Sequence, residues 1–231
     1  MMTEESFVDF TCPHCGDAVS FPHDHAGQAQ ECPICADTVI VPSDGSAIGL
    51  KLPIPLTTPR LVLRRLKGLD WRDLMELWSD EELMLHHEGR AMGEEEVTHW
   101  LESDSHVRLT TPDQPFHLGL ELPGSDKLIG YLSLSRSDPQ RLQAMLNLLL
   151  NRAYQRKGFG TEAVSAALGF CFKAIGLHRV AANCDSRNVA ACRLFEKVGM
   201  RREGEFVKDR LLNGAWVNTV WFAMLREEYQ K

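Results

Sequence analysis

Two cysteine pairs near the N-terminus, Cys12-Pro13-His14-Cys15 and Cys32-Pro33-Ile34-Cys35, are separated by 16 residues. Each short knuckle aims two thiolates at one point, and a loop of this length brings two knuckles around a single tetrahedral ion. Four thiolates leave no open position for catalysis, so the expectation is a structural Zn2+ on Cys12, Cys15, Cys32 and Cys35. Iron, a disulfide pair and unligated thiols are the competing readings. With the site complete, His14, His23 and His25 read as exposed loop histidines. The flanks, 7–11, 18–22 and 38–42, read as strands of a segment too short for a core of its own, so the metal supplies much of its folding free energy.

Charge divides the chain at the same place. Residues 1–50 hold eight acids and no Lys or Arg, whereas 51–231 hold 24 acids against 25 bases. Phosphate neutralisation needs Lys and Arg, so the N-terminal part is not expected to bind nucleic acid. No apolar run approaches the roughly 18 residues of a membrane span, and the first residues lack the basic and apolar regions of a signal peptide. A soluble, cytoplasmic protein is expected. The division becomes 1–42, which resembles the zinc-ribbon family, a Pro- and Gly-rich linker over 43–57, and a larger domain over 58–231. The acidic ribbon is a candidate for docking a protein partner.

In the larger domain, Arg60-Leu61-Val62-Leu63-Arg64 alternates as a strand does. Asp70 stands as an N-cap before Trp71, Leu74, Met75, Leu77 and Trp78 at helical spacing. Short helices are expected over 81–87 and 94–103, then strands over 116–122 and 127–135 joined by Pro123-Gly124-Ser125-Asp126. An apolar strand over 144–150 precedes a helix with Val164, Ala167, Leu168, Cys171, Ala174 and Ile175 at period 3.6, closed by Gly176. Asn188 and Gly199 cap another helix, and Asn213-Gly214 marks a type I′ hairpin. The sheet is therefore mixed.

Between that strand and helix lies Asn151-Arg152-Ala153-Tyr154-Gln155-Arg156-Lys157-Gly158-Phe159-Gly160-Thr161-Glu162. A basic, glycine-containing loop opening a helix presents free N–H groups and the positive end of the dipole to phosphate oxygens. Arg152, Arg156 and Lys157 add charge, and Gly158 and Gly160 are expected to let backbone approach the ligand. The string from Gly158 to Ala163 formally matches G-x-G-x-x-G/A, but seven residues separate it from the strand and a hairpin precedes it, unlike the dinucleotide motif. No Gly-Lys-Ser/Thr follows, which excludes a P-loop. A plain helix-entry turn is the bland alternative.

Gln155-Arg156-Lys157-Gly158-Phe159-Gly160 resembles the Q/R-x-x-G-x-G/A pyrophosphate loop of the GNAT superfamily of acetyl-CoA-dependent N-acetyltransferases. Thr58-Pro59-Arg60-Leu61-Val62-Leu63-Arg64 is similar to the opening strand of its RimJ/RimL-like branch, and Leu128-Ile129-Gly130-Tyr131 to its third strand. The run from Asn188 to Met200 resembles its Asn-x-x-Ser...Glu-Lys-x-Gly-Phe helix, and Asn213-Gly214-Ala215-Trp216 its final hairpin. The resemblance implies an α/β (α+β-like) fold, a mixed and mostly antiparallel sheet flanked by helices, as monomer or homodimer.

It also implies acetyl-CoA as co-substrate. Leu148, Leu149 and Leu150 would pair with the pantetheine arm, and Gln155, Arg156, Lys157, Gly158, Phe159, Gly160 and Thr161 would hold the pyrophosphate, with Arg193 alongside. An amine on a small molecule or a protein N-terminus would attack the acetyl carbon directly. The proton acceptor is not matched: Phe195 stands where many members have Tyr, and Ala191 where the branch has Ser. A water relayed past Asn183 or Asn188 is the expectation, with Glu121, Asp185 and His117 behind it as strand residues whose plain reading is structural. His86 and His87, in a region that borders the acceptor pocket in this family, read as solvated helix residues, and Cys171, Cys184 and Cys192 as small core residues. A non-catalytic acyl-CoA-binding or interaction module is the alternative function.

Overall fold

A computed structural model describes residues 7–12, 18–34, 38–42, 54–87, 92–107, 109, 114–136 and 142–229. The chain forms two compact units, Met1–Pro53 and Ile54–Lys231. In the first, β1 (Phe7–Thr11) pairs antiparallel with β2 (Ala18–Pro22), and β3 (Ala29–Glu31) with β4 (Thr38–Ile40). Val8, Phe10, Val19, Phe21, Val39 and Val41 are buried together with Cys12 and Cys32. Cys15 and Cys35 lie outside the described residues.

The second unit is built on one eight-stranded sheet. Its strands are β5 (Leu56–Thr57), β6 (Val62–Arg64), β7 (Phe116–Glu121), β8 (Leu128–Ser135), β9 (Gln143–Leu150), β10 (Arg179–Asp185), β11 (Arg201–Leu212) and β12 (Ala215–Leu225). Their spatial order is β11-β12-β10-β9-β8-β7-β6-β5, and only β9 and β10 run parallel. The last two residues of the stretch read as linker, Leu56 and Thr57, pair with Leu63 and Val62 at the sheet edge.

Helices α1 (Trp71–Trp78), α2 (Glu81–Met84) and α3 (Glu94–His106) connect β6 to β7, and α4 (Phe159–Gly169), α5 (Val189–Lys197) and α6 (Arg226–Tyr229) follow later. α4 continues as a π-helical turn, Phe170–Ile175, before Gly176 closes it in the left-handed region at φ 78°. Asn213 and Gly214 both take positive φ, 48° and 77°, as a type I′ turn requires. Leu74, Leu77, Val97 and Leu101 pack the first helices against Leu128 and Leu149 of the sheet.

Two local expectations are corrected. The helix expected over 81–87 stops at Met84, and His86 and His87 occupy the turn beyond it. Asp70 does not cap α1 with its side chain. Its carboxylate reaches back to Lys67 N–H at 2.7 Å and takes both terminal nitrogens of Arg64 at 2.8 Å, while Arg64 Nε meets Glu121. Two carboxylates around one buried guanidinium outcompete a lone helix N–H as partner, and Arg64 is held charged still more firmly than usual.

Candidate active site

The parallel pair β9 and β10 is in register only over its first three residues, Gln143↔Arg179 to Met145↔Ala181, and then parts. β9 stays paired with β8 through Leu150, and β10 with β12 through Asp185. A V-shaped opening therefore lies between 146–150 and 182–185. Asn151 N–H donates to Ile129 O on β8 at 2.8 Å. By alternation Leu146, Leu148 and Leu150 turn their backbone groups the other way, into the opening, whereas Leu149, expected to meet the pantetheine arm as well, turns its backbone groups to β8 instead. Gln155 Nε2 meets the Leu150 carbonyl at 2.9 Å.

The two faces beside this opening differ chemically. Leu148 faces α4 and α5: a Cβ on Gly160 would stand 3.3 Å from Leu148 Cδ2 and 3.5 Å from Leu194 Cδ2. The other face carries a row His117–Ser133–Asn147 across β7, β8 and β9. Met145 pairs with Ala181, so Asn183 and Asp185, two and four residues on, share the face of Asn147. Helices cover both sides of the sheet, α4 and α5 an apolar one, α1 and α3 the other, and it is this second face that is polar at the split.

The loop leaving β9 lands on the start of α4. Asn151 Oδ1 accepts from Ala153 N–H at 2.9 Å and its Nδ2 donates to Glu76 at 2.6 Å. Arg156 and Gly158 both take positive φ, 59° and 86°. Left-handed residues two apart turn successive N–H groups to one side, the arrangement that cradles anions. No side chain caps α4, so its first-turn N–H groups are left for an incoming acceptor. Arg156 and Lys157 are exposed there, but Arg152 is not available: it pairs with Asp80 at 2.7 Å and with Glu82. For Gly160 the structure adds a second constraint: it lies inside α4 without left-handed backbone, and a Cβ there would press on Leu148 and Leu194.

A clamp that sequence reasoning missed fixes the outer wall of this loop. Thr58 Oγ1, Arg60 N–H and Arg60 Nε all donate to Glu162, at 2.6, 2.9 and 2.7 Å, and Arg60 Nη1 donates to Lys157 O at 2.9 Å. The guanidinium also covers the Phe159 ring at 4.6 Å. Burial alone raises the Glu162 pKa, yet these donors outweigh it and hold the carboxyl below its ordinary range. Partners about a hundred residues apart leave no local signal.

The remaining candidates separate by what they touch. Asn188 spends Oδ1 on Ala191 N–H at 3.0 Å, capping α5, and Arg193 is exposed one turn on. Phe195 is buried against Phe222 at 5.5 Å. Glu121 is bound to Arg64. His117 donates or accepts at Asp104, 2.7 Å away, beneath the rings of Trp100 and Tyr131. Cys171 is fully buried, which pushes its thiol up to about 12, and Cys184 is buried 3.5 Å from Cys192 Sγ. His86 is not a freely solvated residue: its Nδ1 lies 3.1 Å from Oδ2 of the buried Asp185. Among the described residues no group of three or more His, Cys, Asp or Glu side chains could hold a metal ion.

Residues 60–201 match the family model described as an acetyltransferase (GNAT) domain. The chain is similar to the uncharacterised N-acetyltransferase YnaD of Bacillus subtilis (strain 168), with 30% identity over 174 residues, 75% of this chain and 98% of YnaD. It is similar in structure to a GNAT-family acetyltransferase from Bacillus anthracis, at a TM-score of 0.67 and 27% identity, over 74% of this chain and 98% of that one. The spermidine N-acetyltransferase of Vibrio cholerae in complex with CoA and spermine shares the fold, at a TM-score of 0.66 and 22% identity, over 75% of this chain and 100% of its own.

Proposed function

Because the chain belongs to the GNAT acetyltransferase family and is an N-acetyltransferase, we propose that it moves the acetyl group of acetyl-CoA directly onto a primary amine, of a small molecule or of a protein N-terminus. The observation that carries this reading is the parting of β9 and β10 beside an uncapped, cation-flanked helix start. The N–H groups of 156–161 receive the pyrophosphate, that of Gln155 being spent on Arg152 O at 3.2 Å, and Leu146, Leu148 and Leu150 offer backbone partners to the pantetheine arm. Arg193, exposed on α5, adds charge beside the cofactor. An N–H of β9 polarises the thioester carbonyl as charge develops on its oxygen. Holding both reactants at the split supplies proximity, and Asn183 orients the amine or a water on the polar face. The similarity to a spermidine N-acetyltransferase favours a cationic small-molecule amine, and the strand Thr58 to Arg64 favours the RimJ/RimL-like branch. The test is CoA thiol release from acetyl-CoA with spermidine, glucosamine and a short peptide as amines. Release with one of them is expected, and acetyl-CoA binding without release overturns the reading.

For residues 1–42 we infer a zinc-ribbon-like unit with one structural Zn2+ on Cys12, Cys15, Cys32 and Cys35. Cys12 and Cys32, one from each knuckle, are buried in the same small apolar cluster, which suits convergence on a single ion. The metal contributes folding free energy, and the acid-rich surface suits docking to a protein partner. The described residues contain no helix long and apolar enough to cross a membrane, and a thiolate site of this kind fits a reducing, cytoplasmic setting.

A further inference from the structure

Helix α2 and the turn after it bridge the mouth of the β9–β10 opening. At its start, Asp80 and Glu82 hold Arg152, in the turn just after β9. At its end, His86 Nδ1 meets Asp185 Oδ2, on the last residue of β10. From the β11–β12 turn, Asn213 Nδ2 donates to the carbonyls of Met84 and Leu85, both at 3.3 Å. The bridge thus brings an imidazole to the polar face that already carries Asn147 and Asn183.

We propose that His86 is the proton acceptor of the acetyl transfer, with Asp185 as its positioning residue. The assignment rests on the reading of the chain as an acetyl-CoA:amine transferase. Asp185 is wholly buried, and burial raises its pKa, but donors from Arg187 and His86 prevail and hold it at about 2. An ionised carboxylate only accepts hydrogen bonds, so Nδ1 of His86 is the donor, and in the neutral ring the lone pair is left on Nε2. No protein hydrogen bond to Nε2 is present among the described residues, and the side chain keeps 29% of its surface exposed. The amine lone pair attacks the acetyl carbon, Nε2 takes the nitrogen's proton, the C–S bond breaks with its electrons on sulfur, and the proton passes to the thiolate or solvent. The charged and titratable groups about His86 are Asp185 from β10, to which Arg187 of the following turn is also bound, and the neighbouring His87, which Arg210 of β11 influences. His117 has an equivalent carboxylate partner but lies under two aromatic rings, and Glu121 is committed to Arg64.

The test is His86→Asn, whose amide can keep the bond to Asp185 while Nε2 is lost. With spermidine, glucosamine and a short peptide as probe amines, kcat/KM at pH 7.5 is expected to fall about 100-fold or more. The acetyl-CoA Kd should stay within twofold, and activity should recover as rising pH deprotonates the amine in solution. Asp185→Asn should give a smaller loss that distorts the acid limb of the profile, and the exposed α3 variant His99→Gln should change nothing. His86→Gln, with added imidazole as rescue, serves if the Asn variant does not fold. His86 variants that bind acetyl-CoA and turn over like the parent at every pH overturn the assignment alone. A parent that releases CoA with none of the amines overturns the transferase reading, and this assignment with it.

Discussion

Gly158 and Gly160 sit two residues apart and are glycines for different reasons. Gly158 stands at φ 86° with Arg60 Nη2 3.1 Å from where a Cβ would be, while Gly160 lies between Leu148 and Leu194. The loop motif located both, but the packing partner of Gly160 on α5 is 34 residues away and could not be read from the motif. Gly160→Val should therefore overpack the α4–β9–α5 junction and cost ~1–3 kcal/mol of stability, seen as a lower urea midpoint at unchanged slope. Asp70 makes the same point in a charge. As a helix cap its loss would cost about 1 kcal/mol, whereas breaking the buried Arg64–Asp70 pair should cost roughly 3–5 kcal/mol. Denaturation of Asp70→Ala separates the two, and a loss near the smaller figure would mean that Glu121 alone satisfies Arg64.

At the scale of elements, periodicity and caps placed β7 to β9 and α3 to α5 within a few residues, because each carries its own strand or helical pattern, and Asn213-Gly214 marked the turn between β11 and β12. What escaped was the path of α2. Its anchors join Asp80 to Arg152 and His86 to Asp185, pairs far apart in sequence that only the fold brings together. The same bridge has a pH signature. Burial, with the charges of His86 and Arg210, lowers the His87 pKa from 6.5 to about 4. Between those values the unfolded chain binds the proton and the folded one does not, so stability rises with pH. It is lost as pH falls from 6.5 towards 4. Urea unfolding across that window should show this slope in the parent and a flatter one in His87→Gln; an unchanged slope would place the titrating group elsewhere.

For the whole molecule, the charge break near residue 50 and the boundary between units at Pro53 and Ile54 coincide. For the first unit the proposed zinc site rests on the cysteine spacing, since metal ligation depends on residue identity more than on periodicity. The acceptor amine was not legible, since no contiguous motif names it, and the contacts that carry α2 across to Arg152 and Asp185 join residues far apart in the chain. Elemental analysis of the purified chain should find about one zinc per molecule, and chelation should unfold β1–β4 while the sheet of the second unit persists. Absence of metal, or iron in its place, would refute the tetrathiolate zinc site.

If acetyl-CoA fills the gap where β9 and β10 part, its binding must shield the backbone amides that face that gap. Amide hydrogen exchange with and without acetyl-CoA reads this residue by residue. The cofactor should slow exchange at Leu146, Leu148 and Leu150, whose N–H groups face the opening, and across 156–161, the proposed seat of the pyrophosphate. Leu149 and Asn147, already turned to β8, should change little. Acetyl-CoA that binds without protecting those alternate β9 amides and the loop, or that protects a different part of the chain, would place the cofactor elsewhere and overturn the assignment of the β9–β10 gap.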